Sequence, residues 1–355
     1  MVEIIPPKRK PSQSFHDWPL DVVYSIMVEA VEDDEPNWAC ARVSKQVQSW
    51  VEPILYRSIV LGMEKPRELS SLSMLGLGAF ECLHRTILHH PAKLDGFFAM
   101  HVKKLGFRTL FDEGKTLEIM AACPNVSQLE YRTSILYQDA SADVLKVGGH
   151  TTWEKVRPKW LLIHANMFVP KQRYFGAPIF KNVTRLELIW NFNTTWNLPS
   201  LVLRRALTHL CISTSPFDPD PRIAIAAMSN LSAMRQSSKE FVDSLVVCIF
   251  SITNIEFAAG PAIQYLHTDP ASNVVVALDD VDFYEAFIEQ DDEESKKIAE
   301  GLIPRSTRSE MYTGIVNEAA FWKRAGDKVK ERARLLTLRN SLNDSDAHQA
   351  DAEDE

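Results

Sequence analysis

Between residues 20 and 30 the apolar positions Leu20, Val23, Ile26, Met27 and Ala30 recur at intervals of three and four, the period of a helix with one buried face. Asp17 is placed to cap that helix, and Pro19 suits its first turn. The polar run EDDEPN interrupts the pattern, and WACARVSKQVQSWVEPILY then predicts a second helix. Its stripe is Cys40, Val43, Val47 and Trp50 or Val51, with Pro53 marking an end or a kink. RSIVL, which follows, alternates and is β-branched, as a short edge strand would be.

Beyond this helical pair the pattern changes. VKKLGF from Val102, VSQLEY from Val126, VTRLEL from Val183 and LTHLCI from Leu207 share the form apolar-x-x-Leu-x-apolar. Leu105 and Leu129 are 24 residues apart, as are Leu186 and Leu210, and the gap between the pairs has room for one more unit near KWLLIHA. A fixed period in the twenties marks stacked repeats, because one such unit cannot bury its own face. GKTLEIMAACP, DPRIAIAAMSNLSAMRQSSKEFVDSL and FYEAFIEQDDEESKKIAEGL read as helices, and SLVVCIF and NVVVALDD as further strands. Alternating strand and helix predict an α/β fold with a parallel sheet and right-handed crossovers. NEAAFWKRAGDKVKERARLLTLRN predicts a basic helix that caps the sheet through Phe321, Trp322, Ala325, Val329, Ala333 and Leu336.

The expected organisation is a disordered tail over 1–14, a helical domain over 15–62, a repeat domain over 63–315, a helix over 316–340 and a disordered acidic tail over 341–355.

Composition narrows the function more than it names it. The formal net charge of −8 argues against nucleic acid as the main partner, since phosphate binding needs a basic face. The first residues hold no uninterrupted apolar run and no stretch is long enough to span a bilayer, so neither a leader nor a membrane partner is expected. Five widely spaced cysteines fit reduced, mostly buried thiols in a cytoplasmic or nuclear protein. PPKRKP reads first as a solvated tail and second as a nuclear-import patch.

No nucleophile elbow, phosphate loop or zinc-protease signature occurs, so no catalytic residue, metal or cofactor is expected and the chain reads as a recognition protein, not an enzyme. His84, His89 and His90 lack metal-ligand spacing, and Asp279, Asp280 and Asp282 lack a glycine-turned calcium loop. Trp153, Trp160, Trp190 and Trp196 read as filling of the repeat interior.

WPLDVVYSIMVEAV followed by CARVSKQVQSWVEPILYRSIVL resembles an F-box or F-box-like domain, through Pro19, Leu20, Asp21, Val22, Ile26, Val43, Ser44, Lys45, Trp50, Pro53, Leu55 and Tyr56. The later segments resemble irregular leucine-rich repeats, and the whole is similar to fungal F-box-like proteins with degenerate repeats. The resemblance covers roughly residues 15–60 and much of 100–280. It implies an irregular leucine-rich-repeat-like solenoid. It also implies a role as the substrate-recognition subunit of a Skp–cullin–F-box ubiquitin ligase, in which catalysis is by proximity and is supplied by other chains.

Trp18, Pro19, Leu20, Val23, Ile26, Met27 and Val43 would then contact the Skp adaptor. The same residues are alternatively the unit's own core, folded onto Trp50 and Tyr56. The alternative function is a stand-alone scaffold for protein–protein interaction. An unknown protein substrate would lie on the outward sheet face, on Lys104, Arg108, Gln128, Glu130, Arg132, Arg185, Glu187 and His209, with Gly106, Ile189, Cys211 and Ser213 between them.

Overall fold

The computed structural model describes residues 18–32, 38–62, 72–93, 96–109, 111–132, 150–164, 177–190, 206–214, 245–252, 273–278, 289, 293, 301–305 and 318–353. The chain divides into two compact units, residues 1–59 and 60–355.

The first unit holds α1 (Leu20–Glu32), a 3-10 turn (Trp38–Arg42) and α2 (Lys45–Leu55). The Pro19 carbonyl accepts the N–H groups of Val22 and Val23 at 3.0 and 3.1 Å, which starts α1. Ser44 is extended (φ −160°, ψ 163°), and its hydroxyl accepts the Val47 N–H at 3.1 Å. That cap begins α2 at Lys45, so the second sequence pattern is two elements rather than one helix. Val43 falls in the break and is exposed, not on the stripe. Pro53 lies inside α2, two residues from its end, and supplies no N–H to the Ser49 carbonyl one turn back. The core is Val23, Met27, Val31, Cys40, Val47, Val51 and Leu55. Tyr24 meets Trp50 and Trp38 meets Tyr56, each edge to face at 5.5 Å.

One nine-stranded sheet follows, its strands in chain order and without closure into a barrel. They are β1 (Ser58–Leu61), β2 (Lys104–Phe107), β3 (Gln128–Tyr131), β4 (Trp160–His164), β5 (Arg185–Trp190), β6 (His209–Thr214), β7 (Val247–Ile252), β8 (Val274–Leu278) and β9 (Leu302–Pro304). Every pair from β2 to β9 is parallel. The register sets Leu105, Leu129, Leu161, Leu186, Leu210 and Cys248 side by side, so the missing unit is centred on Leu161.

Each strand entrance is built alike. Two successive N–H groups donate to one carbonyl of the preceding unit: Ser127 and Gln128 to Lys103, Lys159 and Trp160 to Ser127, Thr184 and Arg185 to Lys159, and Thr208 and His209 to Thr184. Where that position is Ser127, Thr184 or Thr208, the hydroxyl donates to the same carbonyl at 3.0, 3.2 and 3.1 Å. The sequence mark of this device is a hydroxyl residue directly after the apolar residue that opens the motif.

The leucine face packs against a helical layer. It holds α3 (Leu72–His89), α4 (Phe97–His101), α5 (Glu113–Ala122) and α6 (Thr152–Lys155). α5 buries Thr116, Leu117, Ile119 and Met120, and Trp153 of α6 packs edge-on against Tyr131, which in turn meets Phe107. The sequence pattern gave no warning of α3 or β9.

α7 (Glu318–Glu353) lies on the opposite face. Phe321, Trp322 and Ala325 are buried against Cys211, Val247, Ile249, Val275, Ala277 and Ile303, with Val329 partly buried beside them. The helix therefore covers four strands broadside; it does not close the end of the sheet as a cap. Ala333 is exposed, and the expected stripe ends near Val329. The helix also runs through the expected disordered tail to Glu353, since no proline or glycine follows Gly326 to stop it.

The helices expected from DPRIAIAAMSNLSAMRQSSKEFVDSL and FYEAFIEQDDEESKKIAEGL, the cap Asp17, Trp196 and Asp279, Asp280 and Asp282 lie outside the described residues, apart from Leu245, the isolated positions 289 and 293, and Gly301 and Leu302, the latter opening β9. No described helix is long and apolar enough to cross a membrane.

Candidate functional site

The face opposite the leucines does not alternate in and out as expected. Lys104, Gln128, Trp160, Arg185 and His209 open β2 to β6 and are aligned by the parallel register. All five are half-buried, while the described side chains after them in these strands are buried. Burial on both faces is the usual state of a parallel sheet. The result is one half-exposed row that crosses five strands at their entrances: lysine, glutamine, tryptophan, arginine, histidine.

Behind the row lie two carboxylates, and their placement corrects the expected solvent-facing set. Glu130 and Glu187 are 8% and 1% exposed, and Gly106, Ile189, Cys211 and Ser213 are buried with them. A buried carboxylate must be paired or it protonates. Glu130 accepts from Arg108 at 2.8 and 3.4 Å, and the Arg132 guanidinium stands 2.5 Å away. Burial alone would raise the Glu130 carboxyl, but Arg132, Arg108 and Lys104 outweigh it and hold it below the usual carboxylate range. Two guanidiniums share one carboxylate, which leaves a surplus positive charge at this end of the face.

Glu187 is paired further along. Its Oε1 is 2.7 Å from Nη1 of Arg305 and accepts from the Ser213 hydroxyl at 2.9 Å, and Arg305 also donates to Ser213 at 3.0 Å. Arg305 lies over the Phe321 ring, 5.1 Å from its centre, and its carbonyl accepts from Arg324 of α7 at 2.6 Å. Burial would push Glu187 up, and Arg305 reverses that and holds it low. Oε2 of Glu187, Nδ1 of His164 and Nε1 of Trp160 are buried with no hydrogen-bond partner among the described residues. Burial first, and then the Arg132 charge, push His164 down to about 4. Burial and Arg185 likewise lower His209.

On the helical unit the expected docking residues separate. Val23 and Met27 are buried in the unit's own core. Trp18, Pro19, Leu20, Ile26 and Val43 are exposed. Val22 and Tyr24, which the sequence reading left off the docking list, are exposed with them. Leu20 with Tyr24, and Val22 with Ile26, form i, i+4 pairs that flank the buried stripe on either side. Of the twelve exposed large apolar residues among the described residues, seven lie between Trp18 and Val43.

Other candidates have local explanations. His84 Nε2 pairs with Glu118 at 2.5 Å, and His89 and His90 are exposed at the end of α3. No group of metal-ligating side chains occurs among the described residues. Burial pushes Cys123 and Cys248 up to about 12, so both remain thiols at neutral pH. Trp153 fills the interior as expected, whereas Trp160 stands on the opposite face. No family model, curated protein or solved structure matches this chain.

Proposed function

We propose that this chain is a recognition subunit: its N-terminal helices dock onto the Skp adaptor of a cullin–RING ubiquitin ligase, and its sheet-bearing unit holds a protein substrate. The observation that carries this reading is the concentration of exposed apolar side chains on α1 and the segment after it. Soluble proteins rarely leave such residues clustered without a partner. The F-box-like pattern of Pro19, Leu20, Asp21, Ile26, Ser44, Trp50 and Pro53 names the partner class.

Leu20 and Ile26 are exposed, so an aspartate at either position changes the surface and leaves the core intact. In co-purification with the adaptor, the wild type is expected to bind stoichiometrically. Leu20→Asp and Ile26→Asp are each expected to weaken binding by about ten-fold or more, the loss of one apolar anchor, with unchanged circular dichroism. A folded wild type that does not bind the adaptor overturns the ligase role. The second reading, a stand-alone binding scaffold, draws support from Val23 and Met27, which serve the unit's own core.

A further inference from the structure

The half-exposed row at the strand entrances has a chemistry of its own. Lys104 and Arg185 carry cations with no carboxylate in ion-pair range among the described residues, whereas both carboxylates behind them, Glu130 and Glu187, are already bound by arginines. Between the two cations stand Gln128 and Trp160, both half-exposed. The row therefore sets positive charge at two points along a line and carries no negative charge, on a chain of net charge −8.

We propose that Lys104, Gln128, Trp160 and Arg185 seat an acidic peptide segment in extended form, laid across the strands with two carboxylates four residues apart. This rests on the reading of the chain as a recognition protein and names the class of segment it holds. The spacing follows from backbone dimensions. Lys104 and Arg185 are three strands apart, roughly 14 Å at the usual strand separation, and carboxylates at i and i+4 of an extended chain are about 13 Å apart. The residue midway along the peptide then lies over Gln128 and the half-exposed Trp160 ring.

The test uses the full chain and a dye-labelled twelve-residue peptide with two glutamates four positions apart in a serine–glycine background, read by fluorescence anisotropy. The glutamine version is expected to bind about ten-fold more weakly, as is the glutamate peptide with the variant Lys104→Glu/Arg185→Glu, each change removing or reversing two half-exposed ion pairs. Binding to the wild type is expected to weaken steadily with added salt. It is also expected to perturb tryptophan emission, a change absent in Trp160→Phe.

Absence of binding to the wild type, equal binding of the glutamine peptide, or salt-independent binding overturns the proposal. The last two arms need no variant and so stand even if the charge reversal fails to fold. None of these residues belongs to the helical unit. Failure of adaptor binding with peptide binding intact removes the ligase role alone; the converse removes this inference alone.

Discussion

Arg305→Met is expected to destabilise the sheet-bearing unit by about 3–5 kcal/mol, because it leaves Glu187 charged, buried and unpaired. Glu187 is 1% exposed and its only described charge contact within 4 Å is Arg305. The methionine keeps most of the side-chain volume over Phe321, so packing loss is a minor part of the effect. The double variant Glu187→Leu/Arg305→Met removes both charges and is expected to recover most of the loss, since a buried pair is often no more stabilising than an apolar replacement. Urea denaturation of the wild type, the two single variants and the double variant closes the cycle. A double variant no more stable than Arg305→Met alone would show that the arginine acts through α7 and Ser213, not through the carboxylate.

The second large effect is a loss of stability on mild acidification, centred on His164. This histidine is 5% exposed; burial and the Arg132 charge hold it down to about 4 against an ordinary value of 6.5, although a hydrogen bond to the Arg132 backbone opposes the shift. Between those two values the unfolded chain takes up a proton that the folded chain refuses. Stability is therefore full above about pH 6.5 and falls as the pH drops towards 4, by about 3 kcal/mol from this one group. Glu130 and Glu187 act in the same direction but in a lower window: both are held low, so their contributions are full above the ordinary carboxylate range and are lost as the pH falls below it.

The two regimes separate in denaturant midpoints measured from pH 7.5 to 4.5. His164→Leu is expected to flatten the upper part of that profile. The substitution also removes the hydrogen bond to the Arg132 backbone, so a constant loss is expected at pH 7.5 and the flattened slope, not the absolute midpoint, is the diagnostic. An unchanged profile would show that another group titrates there.

The strands were legible because their burial is local. Leu105, Leu129, Leu186 and Leu210 repeat at a fixed distance from the apolar residue that opens each motif, and the register aligns all four. The same reading placed Glu130 and Glu187 at the surface because they alternate with those leucines. Their partners were out of its reach: Arg305 is 118 positions from Glu187 in the chain. A signal was nevertheless present. A lone acid inside an otherwise apolar parallel strand has to be neutralised by a cation from elsewhere. The expected docking residues divide into buried and exposed ones for a different reason. Helical periodicity selects the face that is buried and cannot say by what, so Val23 and Met27 were grouped with Leu20 and Ile26 although only the latter pair is exposed. The periodic pattern puts Val43 on the buried stripe, yet it is exposed, because the Ser44 cap, a single side-chain hydrogen bond, ends one element and begins another.

A sheet whose spatial neighbours are also chain neighbours has little reason to melt all at once. Each strand leans on the one before and the one after, and loss of an end strand is felt mainly next door. The Arg305 side chain breaks that independence. From just beyond β9 it reaches Glu187 on β5 and Ser213 on β6, passing over the intervening strands. Fraying of β9 withdraws the guanidinium and strands a charge in the middle of the sheet, and α7, joined to Arg305 through Phe321 and Arg324, is loosened in the same event. One arginine thus converts the last five strands and their covering helix from a stack that could peel into a single cooperative block.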